Sequence, residues 1–151
     1  NKKTVEGNEL AIEYLSSCMK GFGVHPKLLL KRAFSYLHVG KNDFAIEDCN
    51  NGLKMMKKSG LEVIPLTYYV RGSALFAQRK YEEAKADIKM FVEEEPKHPE
   101  KAGELFLPDA AKWLEGWDKF VKESEEAHAK KQKAEEEAWK VVNEEETTQK
   151  Q

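Results

Sequence analysis

Long apolar runs, clustered cysteines and an excess of one charge are all missing from this 151-residue sequence. No run approaches the roughly 20 apolar residues that a membrane-spanning helix needs. The net charge is −2, which carries no signature of nucleic-acid binding. Only two cysteines are present, Cys18 and Cys49, so a disulfide framework is not expected and a cytoplasmic or nuclear setting is favoured.

Residue patterns for catalysis and metal binding are missing as well. The four histidines are scattered, and none pairs with a second histidine or a cysteine at a metal-ligand spacing. Gly21 and Gly23 form a lone turn and no glycine-rich phosphate loop. Carboxylates fall in runs such as 93–95 and 135–137 on solvated helix faces, whereas a catalytic pair needs burial. The sequence therefore predicts no enzyme activity, no metal and no cofactor.

What the sequence does contain is an internal repeat. Three alanines, Ala11, Ala45 and Ala84, each follow an expected turn and open an amphipathic helical run. The first two are 34 residues apart, and the third follows after 39 residues. This spacing predicts that one structural unit occurs several times along the chain.

Three prolines share the register of these alanines. Pro26, Pro65 and Pro99 are separated by 39 and then by 34 residues. Proline suits the first turn of a helix, because its missing N–H is not needed there. Two residue classes in one register predict repeated units of helix, turn and helix, and hence an all-α fold.

The predicted organisation has two parts. Residues 1–107 form about two and a half helical units, and residues 108–151 form a C-terminal capping helix with a charged helical extension. The register places Asn1 near the middle of the first helix of its unit. That helix is therefore expected to be truncated or supplied from outside the chain, and the open face of the first unit needs a cover.

The C-terminal third begins with a helix signal at Asp109, which is a good N-cap. Trp113 and Trp117 lie on an apolar stripe that is expected to cap the last repeat, because an end repeat cannot bury its own face. The extension that follows is rich in Glu and Lys, as in a solvated helix. Within it, Trp139 and Val142 have no obvious core to join, so they are candidates for a second interface.

The repeat resembles the tetratricopeptide repeat (TPR), and residues 31–49 are similar to the repeats of eukaryotic co-chaperones. The resemblance covers about residues 6–99 and rests on the 34-residue unit with its small, aromatic, glycine, alanine and proline landmarks. It implies antiparallel helix hairpins stacked in a superhelix, with the first helix of each pair lining a concave groove. The family's groove positions fall on Lys27, Leu30, Lys31, Phe34, His38, Leu66, Tyr69, Val70, Ser73 and Phe76.

The carboxylate clamp of those co-chaperones is not matched. Lys31 stands where the family has its second asparagine, and Leu66 and Val70 stand where it has a lysine and an arginine. The resemblance therefore implies a scaffold that binds a peptide segment of another protein, but not through a clamp on an acidic C-terminus. The expected segment is apolar with some acidic character.

Two other classes of function stay open at this stage. In the first, the chain is a structural subunit that oligomerises through the repeats or the C-terminal helix, with itself or with a partner. In the second, it is an enzyme, which the absence of any catalytic constellation argues against. No nucleic acid and no membrane are expected among its partners.

Overall fold

The computed structural model describes residues 2–95 and 109–150, and within them every regular element is a helix. This confirms the prediction of an all-α fold. In chain order the helices are α1 Lys2–Phe22, α2 Pro26–His38, α3 Asn42–Lys58, α4 Leu66–Ala77, α5 Tyr81–Glu94, α6 Ala110–Glu115 and α7 Trp117–Gln149.

Helices α2 and α3 form one hairpin, and α4 and α5 form a second with the same turn. Each turn has one residue in the left-handed region, Gly40 with φ 79° and Arg79 with φ 64°, which are 39 residues apart. The backbone N–H groups of Lys41 and Lys80 then reach back to carbonyls of the preceding helix, each at 2.9 Å. The two predicted turns are thus confirmed, and an arginine adopts a conformation usually left to glycine.

A partly buried ion pair joins the two helices of each hairpin. Arg32 in α2 donates to both carboxylate oxygens of Asp48 in α3, at 2.7 and 2.8 Å. Arg71 in α4 donates in the same way to Asp87 in α5, again at 2.7 and 2.8 Å. Such bidentate pairs are stronger and more specific in geometry than single hydrogen bonds. We call each pair an arginine clasp.

The third partner of each clasp links neighbouring hairpins. Arg32 donates to the hydroxyl of Ser16 in α1 at 3.1 Å, and Arg71 donates to the side-chain oxygen of Asn50 in α3 at 2.9 Å. Ser16 and Asn50 are 34 residues apart, which is the first repeat spacing. Helix α1 is therefore the second helix of its repeat unit, as α3 is the second helix of the next unit.

Small residues set the spacing of the paired helices. Ala33 and Gly72 are at equivalent positions, and both are buried. A Cβ atom at Gly72 would lie only 2.8 Å from the Cδ1 atom of Ile88, so the helices approach too closely for a larger residue. The core between the hairpins is apolar and includes Leu29, Ala33, Ala45, Cys49, Leu53, Met56, Val70, Ala74, Leu75, Ala84, Ile88 and Phe91.

The first unit departs from the prediction. A turn was expected before Ala11, but α1 is continuous from Lys2 to Phe22. Val5, Glu6 and Gly7 occupy the positions of the later turns, and all three are helical. Glycine in a helix costs about 1 kcal/mol, which does not end a helix by itself. The register put part of a first helix here, and that expectation was wrong.

The chain divides into two compact units, Asn1–Glu115 and Gly116–Gln151. The sequence placed the boundary after residue 107, whereas α6 belongs to the first unit. Asp109 caps α6 as expected, because its carboxylate accepts from the backbone N–H of Ala111 at 3.1 Å. The predicted connecting helix at residues 100–107 lies outside the described residues.

The second unit consists of α7, which begins after Gly116 and continues to Gln149. From residue 129 to residue 150 every side chain is exposed. Its surface alternates between Glu-rich and Lys-rich blocks, as predicted for a solvated helix.

Candidate binding pocket

A pocket of about 1160 Å³ lies on the first unit between α1, α2 and the segment that leads into α4. Helix α1 contributes Ala11, Tyr14 and Leu15 to its wall. Helix α2 contributes residues between His25 and Ser35, and the segment before α4 contributes residues between Gly60 and Leu66. These walls come from three separate stretches of sequence, so the pocket exists only in the folded chain.

The floor of the pocket is apolar and its rim is charged, with Lys27, Lys31 and Glu62 all exposed. Leu15, Leu30 and Leu66 are buried and form the floor together with Met56 and Pro26. Lys27 and Lys31 are exposed and one helical turn apart on the rim. An occupant that buries apolar side chains and presents carboxylates would satisfy both parts of this surface.

The local sequence explains how α2 presents this face. Pro26 starts the helix, and the Nδ1 atom of His25 accepts from the backbone N–H of Lys27 at 3.2 Å. From this start, Lys27, Lys31 and Phe34 follow at helical spacing and lie on one side of α2. We call these three residues the pocket face of α2.

Five of the predicted groove residues line this pocket. They are Lys27, Leu30, Lys31, Phe34 and Leu66. His38 does not line it, although its ring lies 4.3 Å from that of Phe34 and its Nδ1 atom contacts the Phe34 carbonyl at 2.9 Å. The N-terminal half of the predicted groove is therefore assembled as an open surface.

The C-terminal half of the predicted groove is covered. The ring of Trp113 in α6 packs on Tyr69 at 6.1 Å and on Phe76 at 5.3 Å between ring centroids. Tyr69 also contacts Phe91, and only 6% of its surface is exposed. The sequence predicted Tyr69 and Phe76 as groove residues, and the structure places them instead under α6. The sequence predicted that Trp113 caps the last repeat, but it did not indicate that the tryptophan covers these two residues.

Val70 and Ser73 are also displaced from the predicted surface. Val70 is completely buried, because its side of α4 packs toward the neighbouring helices. Ser73 is half-buried and hydrogen-bonded to the Tyr69 side chain, while burial raises the pKa of the Tyr69 hydroxyl. Neither residue lines the pocket. Their assignment to an open groove was wrong.

Tyr14 is one of several pocket residues that sequence reasoning missed. It is 71% exposed on α1 and projects from the wall opposite α2. The signal was present, because Tyr14 lies 34 residues before Asp48, the acidic partner in the first clasp. The repeat alignment therefore could have shown that the first unit carries a tyrosine where the other two carry an aspartate. Leu61, which is also exposed, lines the pocket as well.

The thiol of Cys49 lies in the core and away from the pocket. Burial raises its pKa to about 12, so it remains a neutral thiol at ordinary pH. A nucleophilic cysteine needs a lowered pKa and access to solvent. Cys49 is thus a packing residue, as the repeat pattern predicted.

The second predicted interface lies on α7. Trp139 is 67% exposed and Val142 is 43% exposed, and Val141 beside them is exposed too. These three side chains form an exposed apolar group in the Glu- and Lys-rich part of this helix. We call them the α7 patch.

Within residues 2–95 and 109–150, no three His, Cys, Asp or Glu side chains are grouped so that they could hold a metal ion. No helix in the same part of the chain combines the length and the apolar character that crossing a bilayer requires. Comparison with known proteins gives no match to any protein-family model, curated protein or solved structure.

Proposed function

We propose that this chain is a TPR-type scaffold, not an enzyme, that binds a peptide segment of a partner protein at the pocket between α1 and α2. The observation that carries the proposal is an open concave surface with an apolar floor and two lysines on its rim. The two hairpins with matching turns and clasps support the superhelical stacking that the resemblance implies. A cytoplasmic or nuclear setting is part of the same proposal.

The binding energy is expected to come mainly from apolar side chains. An exposed ion pair gives about 0–1 kcal/mol, whereas a well-packed aromatic anchor can give about 2 kcal/mol or more. A micromolar complex needs about 8 kcal/mol. Two rim lysines do not reach that value, so the apolar side chains that still have exposed surface in the pocket, Phe34, Tyr14 and Leu61, must supply most of it. The lysines then select for segments with carboxylates.

The experiment is a selection of phage-displayed peptides on the intact chain, followed by affinity measurements with the enriched peptides. We expect apolar sequences with acidic residues. Phe34→Ala should weaken their binding by at least about tenfold, which corresponds to roughly 1.4 kcal/mol. Lys27→Gln and Lys31→Gln should each weaken it only a few-fold.

The matched control is Phe22→Ala, because Phe22 is 93% exposed on the same unit and does not line the pocket. It should leave the affinity unchanged. Equal losses of affinity in the Phe22→Ala and Phe34→Ala variants would show that the pocket is not the binding site. Loss of binding only in the lysine variants would reverse the proposed order of apolar and charged contributions.

A second candidate function is permanent assembly of the chain into an oligomer, and the exposed α7 patch favours it. Exposed tryptophan is the residue most enriched at interface hot spots. Light scattering over a range of concentrations separates the two functions. A dimer that persists on dilution and is lost in Trp139→Ala would favour assembly, whereas a monomer at all concentrations favours peptide binding.

A further inference from the structure

The charged residues of α7 follow a rule that the charged residues of α1 to α5 do not follow. Eight pairs of Asp, Glu or Lys residues lie four positions apart in α7, from Asp118 with Lys122 to Lys140 with Glu144, and all eight combine opposite charges. Helices α1 to α5 also contain eight such pairs, but six of them combine like charges. We call the eight pairs of α7 its charge ladder.

This difference in charge order matches a difference in burial. Helices α2 to α5 are held by apolar side chains buried between them, so they tolerate like charges one turn apart, such as Lys54 with Lys58. In α7 every side chain from residue 129 onward is exposed, so packing does not hold this part helical. A helix that is polar on all sides needs many i,i+4 pairs to remain stable in water. The charge ladder supplies them, and near its start the Nζ atom of Lys119 lies 3.9 Å from the Oε1 atom of Glu123.

The same segment lacks the pattern that a coiled coil requires. Two paired helices need apolar residues at the a and d positions of a seven-residue repeat. Over residues 129–150 the frame with the most apolar residues has three at these positions, and two of them are the alanines Ala134 and Ala138. Lys131 and Glu145 also occupy a positions in this frame. The sequence of this segment therefore favours a single helix over a pair.

We infer that α7 is a self-supporting arm, which its own ion pairs keep helical in water without a second helix beside it. Its 33 residues extend over about 50 Å. Trp139 comes 22 residues after Trp117, so the arm holds the α7 patch about 33 Å from the start of the helix. This role as a spacer does not depend on the proposed function of the pocket.

The test exchanges charges in the intact chain without changing its composition. In the ladder variant, Lys140→Glu and Glu145→Lys together turn two of the eight pairs into like-charged pairs. In the matched control, Lys131→Glu and Glu135→Lys exchange the members of one pair, so opposite charges stay four positions apart. Hydrogen exchange of the backbone amides in residues 129–149 is measured by NMR for both variants and for the native chain.

We expect the ladder variant to lose protection in this segment by at least about threefold, because two attractions become repulsions. The control should keep the protection of the native chain. In 1 M sodium chloride, where the screening length is about 3 Å, the native segment should lose protection as well. The amides of α2 to α5 should change in neither variant, which checks that the first unit stays folded.

The length of the arm is measured by electron paramagnetic resonance between two spin labels. The labels are attached at Ala127→Cys and Gln149→Cys in a Cys18→Ser background, in which the buried Cys49 stays unlabelled. Both label sites are exposed and lie outside the charge ladder. The distance distribution should be narrow and centred near 33 Å, since that is about the rise of 22 helical residues.

Three outcomes would overturn the inference. Equal protection in the ladder variant and the control would show that the charge ladder does not hold the helix. A broad distribution of shorter distances would show a flexible segment in place of an arm. Protection that rises with protein concentration, together with a dimer in light scattering, would show that a second copy covers α7. None of these results depends on whether the pocket binds a peptide.

Discussion

The pocket face of α2 and the matching face of α4 have the same position in the repeat but opposite environments. Lys27, Lys31 and Phe34 line an open pocket, and both lysines are exposed. Of the residues 39 positions later, Val70 is buried and Ser73 is half-buried outside the pocket, and Leu66 is buried at its floor. The change from lysine to leucine and from lysine to valine follows the change in exposure, because an unpaired amine is rarely buried. Residue type at equivalent positions therefore reports which face has a covering helix.

Exchanging the residues at one pair of positions tests this comparison with the largest expected effect. Val70→Lys places an amine at a completely buried site and should lower the free energy of unfolding by about 4 kcal/mol or more. Lys31→Val at the equivalent open site should change it by only about 0.5 kcal/mol. Urea denaturation followed by circular dichroism measures both values. Similar losses in the two variants would mean that the two faces are covered alike.

The spacing of the paired helices gives a second test, of intermediate size. Gly72→Ala brings a Cβ to 2.8 Å from Ile88 and 3.1 Å from Asp87. It should cost about 1 kcal/mol, because overpacking outweighs the better helix propensity of alanine. Gly52→Ala is the control, since its nearest neighbour would be 3.9 Å away, and it should gain about 0.5 kcal/mol.

The same position also explains why the first hairpin tolerates Ala33. There the facing residue is Cys49, which is smaller than Ile88. In an Ile88→Val background the cost of Gly72→Ala should therefore shrink. If the cost is the same in both backgrounds, the contact with Ile88 is not its source.

A loss of stability at alkaline pH, similar in size to the effect of Gly72→Ala, is also expected. Burial raises the pKa of Cys49 from 9.0 to about 12, so the folded chain keeps a proton that the unfolded chain releases. Below pH 9 the Cys49 thiol is protonated in both states, and it causes no loss of stability. Between pH 9 and 12 the free energy of unfolding falls progressively, and the loss is about 1 kcal/mol at pH 10. Tyr68 and Tyr69, whose pKa values are raised mainly by burial, act in the same direction.

Cys49→Ala isolates the thiol in this pH series. The fall in unfolding free energy between pH 8 and pH 10 should be about 1 kcal/mol smaller in the variant than in the native chain. An identical pH dependence would show that Cys49 titrates normally. Water would then reach the α2–α3 interface, which would contradict the complete burial of Cys49 in the structure.

The hairpins could be predicted from sequence because their packing restricts residue type at regular intervals. Pro26 and Pro65 mark where the first helices start, and Ala45 and Ala84 lie where only a small side chain fits. The clasps were equally regular, with arginine and aspartate 16 residues apart in both hairpins, but a charged pair on an amphipathic helix looks like ordinary surface. The partial burial of each arginine–aspartate pair results from the packing of the helices, which the sequence pattern does not show.

The candidate site was predicted in part, and the errors have a common physical cause. Lys27, Leu30 and Phe34, which the resemblance assigned to a peptide groove, line the pocket, and their role in binding a peptide stays a prediction. Tyr69 and Phe76 were misplaced because Trp113 covers them: the apolar stripe predicted that Trp113 caps the last repeat, but not that it packs on these two residues of α4. The straight path of α1 was missed for a related reason, since Gly7 favours a turn only weakly against a continuing helix.

Hydroxyl-radical footprinting of two tyrosines tests the central contrast most directly. Tyr14 on the pocket wall is 71% exposed and Tyr69 on α4 is 6% exposed, and their identical chemistry removes differences in intrinsic reactivity. The structure predicts that Tyr14 is oxidised many times faster than Tyr69 in the folded chain, and that a phage-selected peptide bound at the pocket protects Tyr14 and leaves Tyr69 unchanged. Equal oxidation of the two tyrosines in the free chain would contradict the open and covered faces on which the proposed function rests.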